Sequence, residues 1–510
     1  MYSSVLSGVL YGLKAEIVRV EVDVGNGIPS FEMSGFLSNE VKEARERVRV
    51  AIRNSGYELP PQRIVVNISP ADIRKCGTGF DLPIALAILS ANGYIDEVNV
   101  DNMIILGELS LDGSINGVSG VLPCVCEAKK SGISKALIPV SNYNEGRIVE
   151  KVNIIPTNSL KMAVQYINNG IIENQRQDNP EQCRTTDKQE INYADICGQE
   201  AAKRATMIAV AGMHNIMYIG PPGSGKSMLA KRLSTIMPAM TFKESIETTN
   251  IHSVCGLVSK ENPLVTKRPF RSPHHTISGA GLSGGGTIPR PGEISLAHNG
   301  ILFLDELPEF SRQALEILRQ PLEDKQVTIS RASGTVTYPC SFMLVAAMNP
   351  CPCGYFGHPT RKCICGKKQA HAYINRISGP LLDRFDIQVE VAPVEYEHLS
   401  SGAKEESSEA IRKRVQAARE IQQKRFAGTD ITCNAMITPD ILHDVCPMTD
   451  EASVMLKNVF EKMGLSARAY DRILKVARTV ADMEGEEVIG KSHIARAVQF
   501  RSLDRKYWSE

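Results

Sequence analysis

A chain of 510 residues, 43% hydrophobic and 23% charged, exceeds what one core supports, since cores stop growing near ~250–300 residues, and its composition excludes wholesale disorder. Its 58 Lys and Arg stand against 57 Asp and Glu, so no overall field announces a nucleic-acid or membrane partner; such binding rests on local patches.

Residues 1–14, MYSSVLSGVLYGLK, carry no basic leader before their apolar residues and do not read as a secretory signal. Val18, Val20, Val22 and Val24 alternate with Arg19, Glu21 and Asp23, predicting a half-buried strand that ends in the turn Gly25-Asn26-Gly27. A helix is expected over 40–54, strands over 64–68, 103–111, 136–140 and 152–155, and a helix over 82–89. Residues 173–190 are almost entirely polar and read as a linker. A second α/β segment follows, with apolar strands at 216–219, 301–304 and 342–347. Residues 205–225 are uncharged but broken by Gly212, His214 and Asn215, against a membrane span. Beyond the charged break at 402–409, Ile473, Val476, Ala477 and Val480 fall at helical spacing, so the tail reads as a small helical domain. A cytoplasmic protein is expected, with no membrane partner and with its 13 cysteines as reduced thiols or metal ligands.

The chemistry is densest after the strand at 216–219. Gly220, Pro221, Pro222, Gly223, Ser224, Gly225, Lys226 and Ser227 fit G-x-x-x-x-G-K-[ST] in full, between an apolar strand and a helix-like run. In that setting backbone N–H groups face phosphates, Lys226 reaches the β/γ-phosphates of ATP, and Ser227 binds Mg²⁺. The strand Ile301 to Leu304 ends in Asp305 and Glu306, suited to holding Mg²⁺ and to orienting an attacking water. Asn349 ends another apolar strand and is a γ-phosphate or water contact, or a plain turn before Pro350. Arg384 lies between Asp383 and Asp386, which by itself suggests a surface ion pair.

The run Arg290 to Gly300 leading into Leu304-Asp305-Glu306-Leu307, with Ser378 to Asp386, resembles the magnesium-chelatase branch of the AAA+ ATPases. From residue 1 to about 505, and including Arg268 to His275, the chain is similar to the ComM/YifB family, associated with DNA branch migration in uptake and recombination. The resemblance implies an α/β multidomain fold. An N-terminal α+β Lon-protease-like domain would span 1–172, the linker 173–190, an AAA+ P-loop α/β core 191–395 with a Cys-rich insertion at 351–366, and a C-terminal helical lid 396–510. It implies Asn349 as first sensor, Arg384 as an arginine finger acting on a neighbour, Arg468 as second sensor, and a homo-hexamer.

In the Lon family a Ser-Lys dyad does the work, and the matching stretches here are Lys75-Cys76-Gly77-Thr78-Gly79 and Ser119-Gly120-Val121-Leu122. Gly79 stands where the serine belongs and Leu122 where the lysine belongs, and neither does that chemistry. Thr78, Cys76 and Lys129 lie nearby as a rewired alternative. The domain is expected to be catalytically degenerate and reused for binding or ring assembly.

Cys351, Cys353, Cys363 and Cys365 fall within 15 residues, a four-thiolate zinc pattern in an insertion too short to carry a core. Reduced free thiols and redox-active pairs are the alternatives; His358 and His371 are spare ligand candidates or surface histidines. Lys267, Arg268, Phe270, Arg271, His274 and His275 form a basic and aromatic cluster followed by a glycine-rich mobile loop at 283–287. They either contact DNA near the pore of a ring or shape the ATPase core or a subunit interface. Arg361, Lys362, Lys367 and Lys368 add a second basic patch. The expected function is a hexameric ATP-driven motor acting on DNA as a helicase or branch-migration enzyme. A protein-remodelling ATPase with a protein client is the alternative, and chelatase-type metal insertion is disfavoured.

Overall fold

The computed structural model describes residues 1–510 apart from 97–99, 171–190, 259–261, 287–288, 332–333, 359, 394–404, 502, 504–506 and 508–510. The expected linker therefore lies outside the described residues. The chain forms two compact units, Met1–Thr185 with Phe242–Val265, and Thr186–Thr241 with Thr266–Glu510.

The first unit is built on a seven-stranded mixed sheet in the order Ser30–Ser34, Arg63–Ser69, Lys14–Gly25, Tyr2–Tyr11, Met103–Ile105, Lys135–Pro139, Asn153–Thr157. Val18, Val20, Val22 and Val24 all face its core, as their alternation predicts. The strand Tyr2–Tyr11 has no such apolar alternation because two of its inward positions are serines. Ser3, Val5, Ser7 and Val9 are buried, and Ser7 Oγ donates to the Ile105 carbonyl at 2.9 Å, which satisfies the hydroxyl inside. The helix Asp81–Ala91 is buried on every side, so its apolar run shows no helical period.

One segment departs from the expected layout. The helix Phe242–Val254, counted by sequence within 191–395, belongs to the first unit. It packs against the helix Val121–Lys130. Ser253 Oγ donates to Glu145 Oε1 at 2.6 Å and accepts from the Gly120 N–H at 3.1 Å. Its buried face is mostly Ser and Thr, with Ser245, Thr248, Thr249, Ile251 and Ser253 inside. Such a face gives no hydrophobic stripe to announce where it docks.

The second unit holds a five-stranded parallel sheet in the order Phe270–Arg271, Ile301–Leu304, Met343–Met348, Ile216–Ile219, Ile387–Glu390. Every residue of Ile216–Ile219, Ile301–Leu304 and Met343–Met348 is buried, as central parallel strands covered on both faces require. The C-terminal helices do not make a separate core. Ile473, Val476, Ala477 and Val480 share one hydrophobic cluster with Ala205, Ala209, Ile216 and Ile387. Small residues on the helix Glu200–Gly212 let the helix Ala467–Glu484 pack directly against it.

The glycine-rich stretch expected as a mobile loop is partly a paired ribbon: Gly284–Gly285 pairs antiparallel with Arg290–Pro291, and Thr287 lies outside the described residues. A Cβ on Gly284 would meet the Arg290 carbonyl oxygen at 2.4 Å, so glycine serves close approach there. Among the described residues, no helix is long and apolar enough to cross a membrane.

Candidate nucleotide site

Three strand ends meet at one edge of the parallel sheet. Ile219 pairs with Met348, and Leu304 with Ala346. Gly220, Asn349 and Asp305 therefore leave the sheet together at its carboxyl edge, where open α/β sheets hold ligands. The Gly220 N–H donates to the Met348 carbonyl at 3.2 Å, and a Cβ on Gly220 would stand 2.2 Å from the Val391 carbonyl oxygen.

Gly223 and Gly225 adopt φ of 76° and 91°, and a Cβ on either would meet nothing within 4 Å. The loop is thus an open backbone concavity ahead of the helix Lys226–Ile236, which suits a phosphate group. The Ser224 hydroxyl is buried beside it with no hydrogen-bond partner. Lys226 Nζ donates to the Gly220 and Pro221 carbonyls, each at 2.8 Å, and to Asn349 Oδ1 at 3.2 Å. Burial pulls its ammonium down to about 8, against the opposing pull of Asp305 and Glu306.

Ser227 Oγ donates to Asp305 Oδ2 at 2.7 Å. A hydroxyl and a carboxylate oxygen in contact beside a phosphate cradle are the hard oxygen donors Mg²⁺ takes. Asp305 Oδ1 also accepts from the Glu306 N–H at 3.0 Å. Glu306 adopts φ 52°, a left-handed conformation that costs a non-glycine residue and concentrates at functional sites. Its carboxylate is exposed, and His275 Nδ1 lies 3.9 Å from its Oε2. The His275 ring stacks on His274 at 4.1 Å between centroids.

A cavity of about 530 Å³ opens beside the phosphate loop. Its lining includes Ile196, Cys197, Gln199 and Met228, with Tyr355 and Arg361 from the Cys-rich insertion. Pro221 and Pro222 of the loop also line it. The wall residues carry no motif: apolar side chains and a glutamine that line a pocket look the same in sequence as residues of a core.

The other expected site residues lie elsewhere. Arg384 is buried and held by its own unit, with Nε donating to the Arg319 carbonyl at 3.1 Å and Nη2 pairing with Glu323. The exposed Arg468 lies 4.0 Å from the same Glu323 carboxylate. Arg384 and Arg468 thus form one group around Glu323.

Two arginines of the basic and aromatic cluster are committed within their own unit. Arg268 donates to the carbonyls of Pro238 and Asn299, each at 2.7 Å. Arg271 makes a two-pronged pair with Glu293, both bonds 2.6 Å, and Phe270 rests 5.9 Å from Phe303. Lys267 and His274 of the same cluster are exposed. Cys351, Cys353, Cys363 and Cys365 converge, while His358 and His371 do not join them.

In the first unit, Leu122 is buried, with its N–H donating to Glu145 Oε1 at 3.1 Å. Thr78 Oγ1 donates to Glu108, and the buried Lys75 ammonium donates to the Pro70 carbonyl. Lys129 is exposed.

Comparison with known proteins agrees along the chain. The family described as magnesium chelatase, subunit ChlI, matches residues 192–399, subunit ChlI of Mg-chelatase matches 20–142, and the magnesium chelatase, subunit ChlI C-terminal family matches 405–501. Competence protein ComM of Haemophilus influenzae is 42% identical over 505 residues, covering 97% of this chain and 96% of its own. Uncharacterized protein YifB of Escherichia coli is 40% identical over 496 residues, with 97% and 96% covered. Lon protease 2 of Bacillus subtilis is 32% identical over 156 residues, 28% of this chain and 27% of that one.

Proposed function

The chain belongs to the ComM/YifB family of magnesium-chelatase-like AAA+ proteins, and from that premise we propose that it is an ATP-hydrolysing ring motor that acts on DNA. The observation that carries the reading is the single cluster of Lys226, Ser227, Asp305 and Asn349 at the carboxyl edge of the parallel sheet. The loop 220–225 wraps the phosphates, and the Lys226 ammonium shifts from the Gly220 and Pro221 carbonyls to the β/γ-phosphate oxygens. Ser227 and Asp305 hold Mg²⁺, which neutralises phosphate charge. Glu306 orients the attacking water and His275 steadies its carboxylate. Asn349 holds Lys226 in line.

Arg384, grouped with Arg468 around Glu323, serves a neighbouring subunit's phosphates once the Glu323 pair is released, which calls for a closed ring such as a hexamer. The competence name of the Haemophilus relative supports DNA as the substrate, in branch migration or strand separation. The first unit is a Lon-type fold without protease chemistry. Gly79 and Leu122 replace the dyad, and the Leu122 N–H is closed off by Glu145. Casein cleavage in the presence of ATP, lost in Thr78→Ala, would overturn that part.

Steady-state ATP turnover without nucleic acid and with single strand, duplex or four-way junction tests the whole, with Glu306→Gln as blank. Stimulation by DNA that vanishes in the variant is the expected result. Turnover indifferent to every DNA refutes the DNA motor and assigns the ATPase to a protein client.

A further inference from the structure

The segment 351–366 is too short to bury a core, so something other than apolar packing must fix its shape. Its four cysteine sulfurs lie within 4.8 Å of one another. Cys351 and Cys353 are 3.4 Å apart, Cys351 and Cys363 3.7 Å, and Cys353 and Cys363 3.5 Å. A disulfide brings two sulfurs to about 2.05 Å and leaves the others out. Four thiolates at about 2.3 Å around one tetrahedral zinc ion stand about 3.8 Å apart, edge to edge. The observed spacing matches the second arrangement. The Phe356 N–H donates to Cys351 Sγ at 3.3 Å, a bond that suits a thiolate sulfur and fixes its direction.

What this cluster holds up is the nucleotide cavity. Between the two cysteine pairs the chain presents Tyr355, His358 and Arg361 to that cavity. These three are locked together: Arg361 Nη1 donates to the Tyr355 hydroxyl at 2.8 Å, its guanidinium carbon lies 5.3 Å from the Tyr355 ring centre, and the Arg361 N–H donates to His358 Nδ1 at 3.0 Å. Gly354 stands against Pro222 of the phosphate loop, where a Cβ would come within 2.3 Å of the proline Cδ. The insertion therefore touches the phosphate loop through Gly354 and lines the adjoining cavity with Tyr355, His358 and Arg361.

We infer that Cys351, Cys353, Cys363 and Cys365 bind one zinc ion, and that this ion holds Tyr355 and Arg361 in place as the wall against which the ATP base stacks. The four thiols give up their protons to the solvent as the metal enters. The flanking Arg361, Lys362, Lys367 and Lys368 offset the two negative charges of a tetrathiolate zinc centre. The base-stacking half of the inference rests on the reading of residues 220–227 as the nucleotide site; the metal half does not.

The experiment begins with elemental analysis of the full chain purified without chelator, where one zinc per chain is expected. No zinc, with four titratable thiols at these positions, overturns the proposal. Reconstitution with Co²⁺ should give the charge-transfer and d–d bands of a tetrahedral sulfur site, and their absence overturns it equally, whatever the folding of variants. The double variant Cys363→Ser/Cys365→Ser should lose the metal and bind a fluorescent N-methylanthraniloyl ATP about tenfold more weakly, the worth of one stacking wall. Tyr355→Ala should keep the metal and show the same weakening. Native nucleotide affinity in the folded, zinc-free variant refutes the link between metal and base pocket. Unchanged binding in Lys226→Ala refutes the nucleotide site itself and leaves the zinc count standing.

Discussion

Gly354 and Gly366 each close a Cys-x-Cys-Gly run, and their surroundings make opposite demands. Gly354 has φ 83°, and a Cβ there would approach Pro222 Cδ to 2.3 Å. Gly366 has φ −64°, and its Cβ would meet nothing within 4 Å. Gly354→Ala therefore adds a left-handed backbone cost of about 1–2 kcal/mol and an overpacking cost of about 1–3 kcal/mol. The proline ring is rigid, so relief requires the phosphate loop or the insertion to retreat by about 1 Å, a displacement worth about a hundredfold in rate when it misplaces reacting groups. Gly366→Ala exchanges one helix-capping residue for a poorer one, within about 1 kcal/mol. The assay is ATP turnover over a range of ATP concentrations, with thermal unfolding of each variant beside it. Gly354→Ala should lose about a hundredfold in kcat/KM, while Gly366→Ala stays near the parent. Equal turnover in the two variants would refute the contact between insertion and phosphate loop.

Glu306→Gln should bind ATP with parental affinity and lose about a thousandfold in turnover, since the amide cannot act as a carboxylate toward the attacking water; parental turnover would remove Glu306 from the mechanism. Lys226, at about 8 against 10.5 in an unfolded chain, binds fewer protons folded than unfolded between those values, so its contribution to stability rises with pH across that window. Phosphate holds the ammonium charged, so ATP binding above pH 8 should take up a proton and weaken by about tenfold per pH unit. Calorimetry in buffers of different ionisation enthalpy reads the uptake, and none at pH 9 would contradict the burial argument. Asp386 would have its carboxyl raised by burial, yet His214, Arg472 and Lys475 hold it well below the usual carboxylate range. Its stabilisation is full above the unfolded carboxyl value and lost as pH falls through the lower folded one. Asp386→Asn leaves Arg472 and Lys475 facing one another and should cost about 3–5 kcal/mol by denaturant unfolding, flattening the acid limb.

The candidate nucleotide site was legible in the sequence because each of its parts is a short contiguous run at the end of an apolar strand. Residues 220–227 follow one apolar strand, Asp305 and Glu306 end another, and Asn349 a third; parallel pairing brings strand ends to one edge whatever lies between. The strands and helices that show a period of two or 3.6 were legible for the same reason, as at Val18 to Val24 and at Ile473 to Val480. Where the period was hidden, the element was too: Ser7 of Tyr2–Tyr11 and Ser253 on the Ser and Thr face of Phe242–Val254 bury their hydroxyls through hydrogen bonds, which hydropathy cannot report.

The destination of each charge was decided only by the tertiary structure. Arg271 and Glu293 are 22 residues apart, Arg384 and Glu323 are 61 apart, and nothing local distinguishes such arginines from ones free to meet DNA. The placement of the insertion against Pro222 is likewise a matter of space, since Gly354 and Gly366 read alike in sequence and differ only in what stands opposite them. Backbone period and contiguous motifs are properties of neighbouring residues, and the sequence carries them outright. Ion pairs, close approaches and pocket walls join residues that only the folded chain brings within reach.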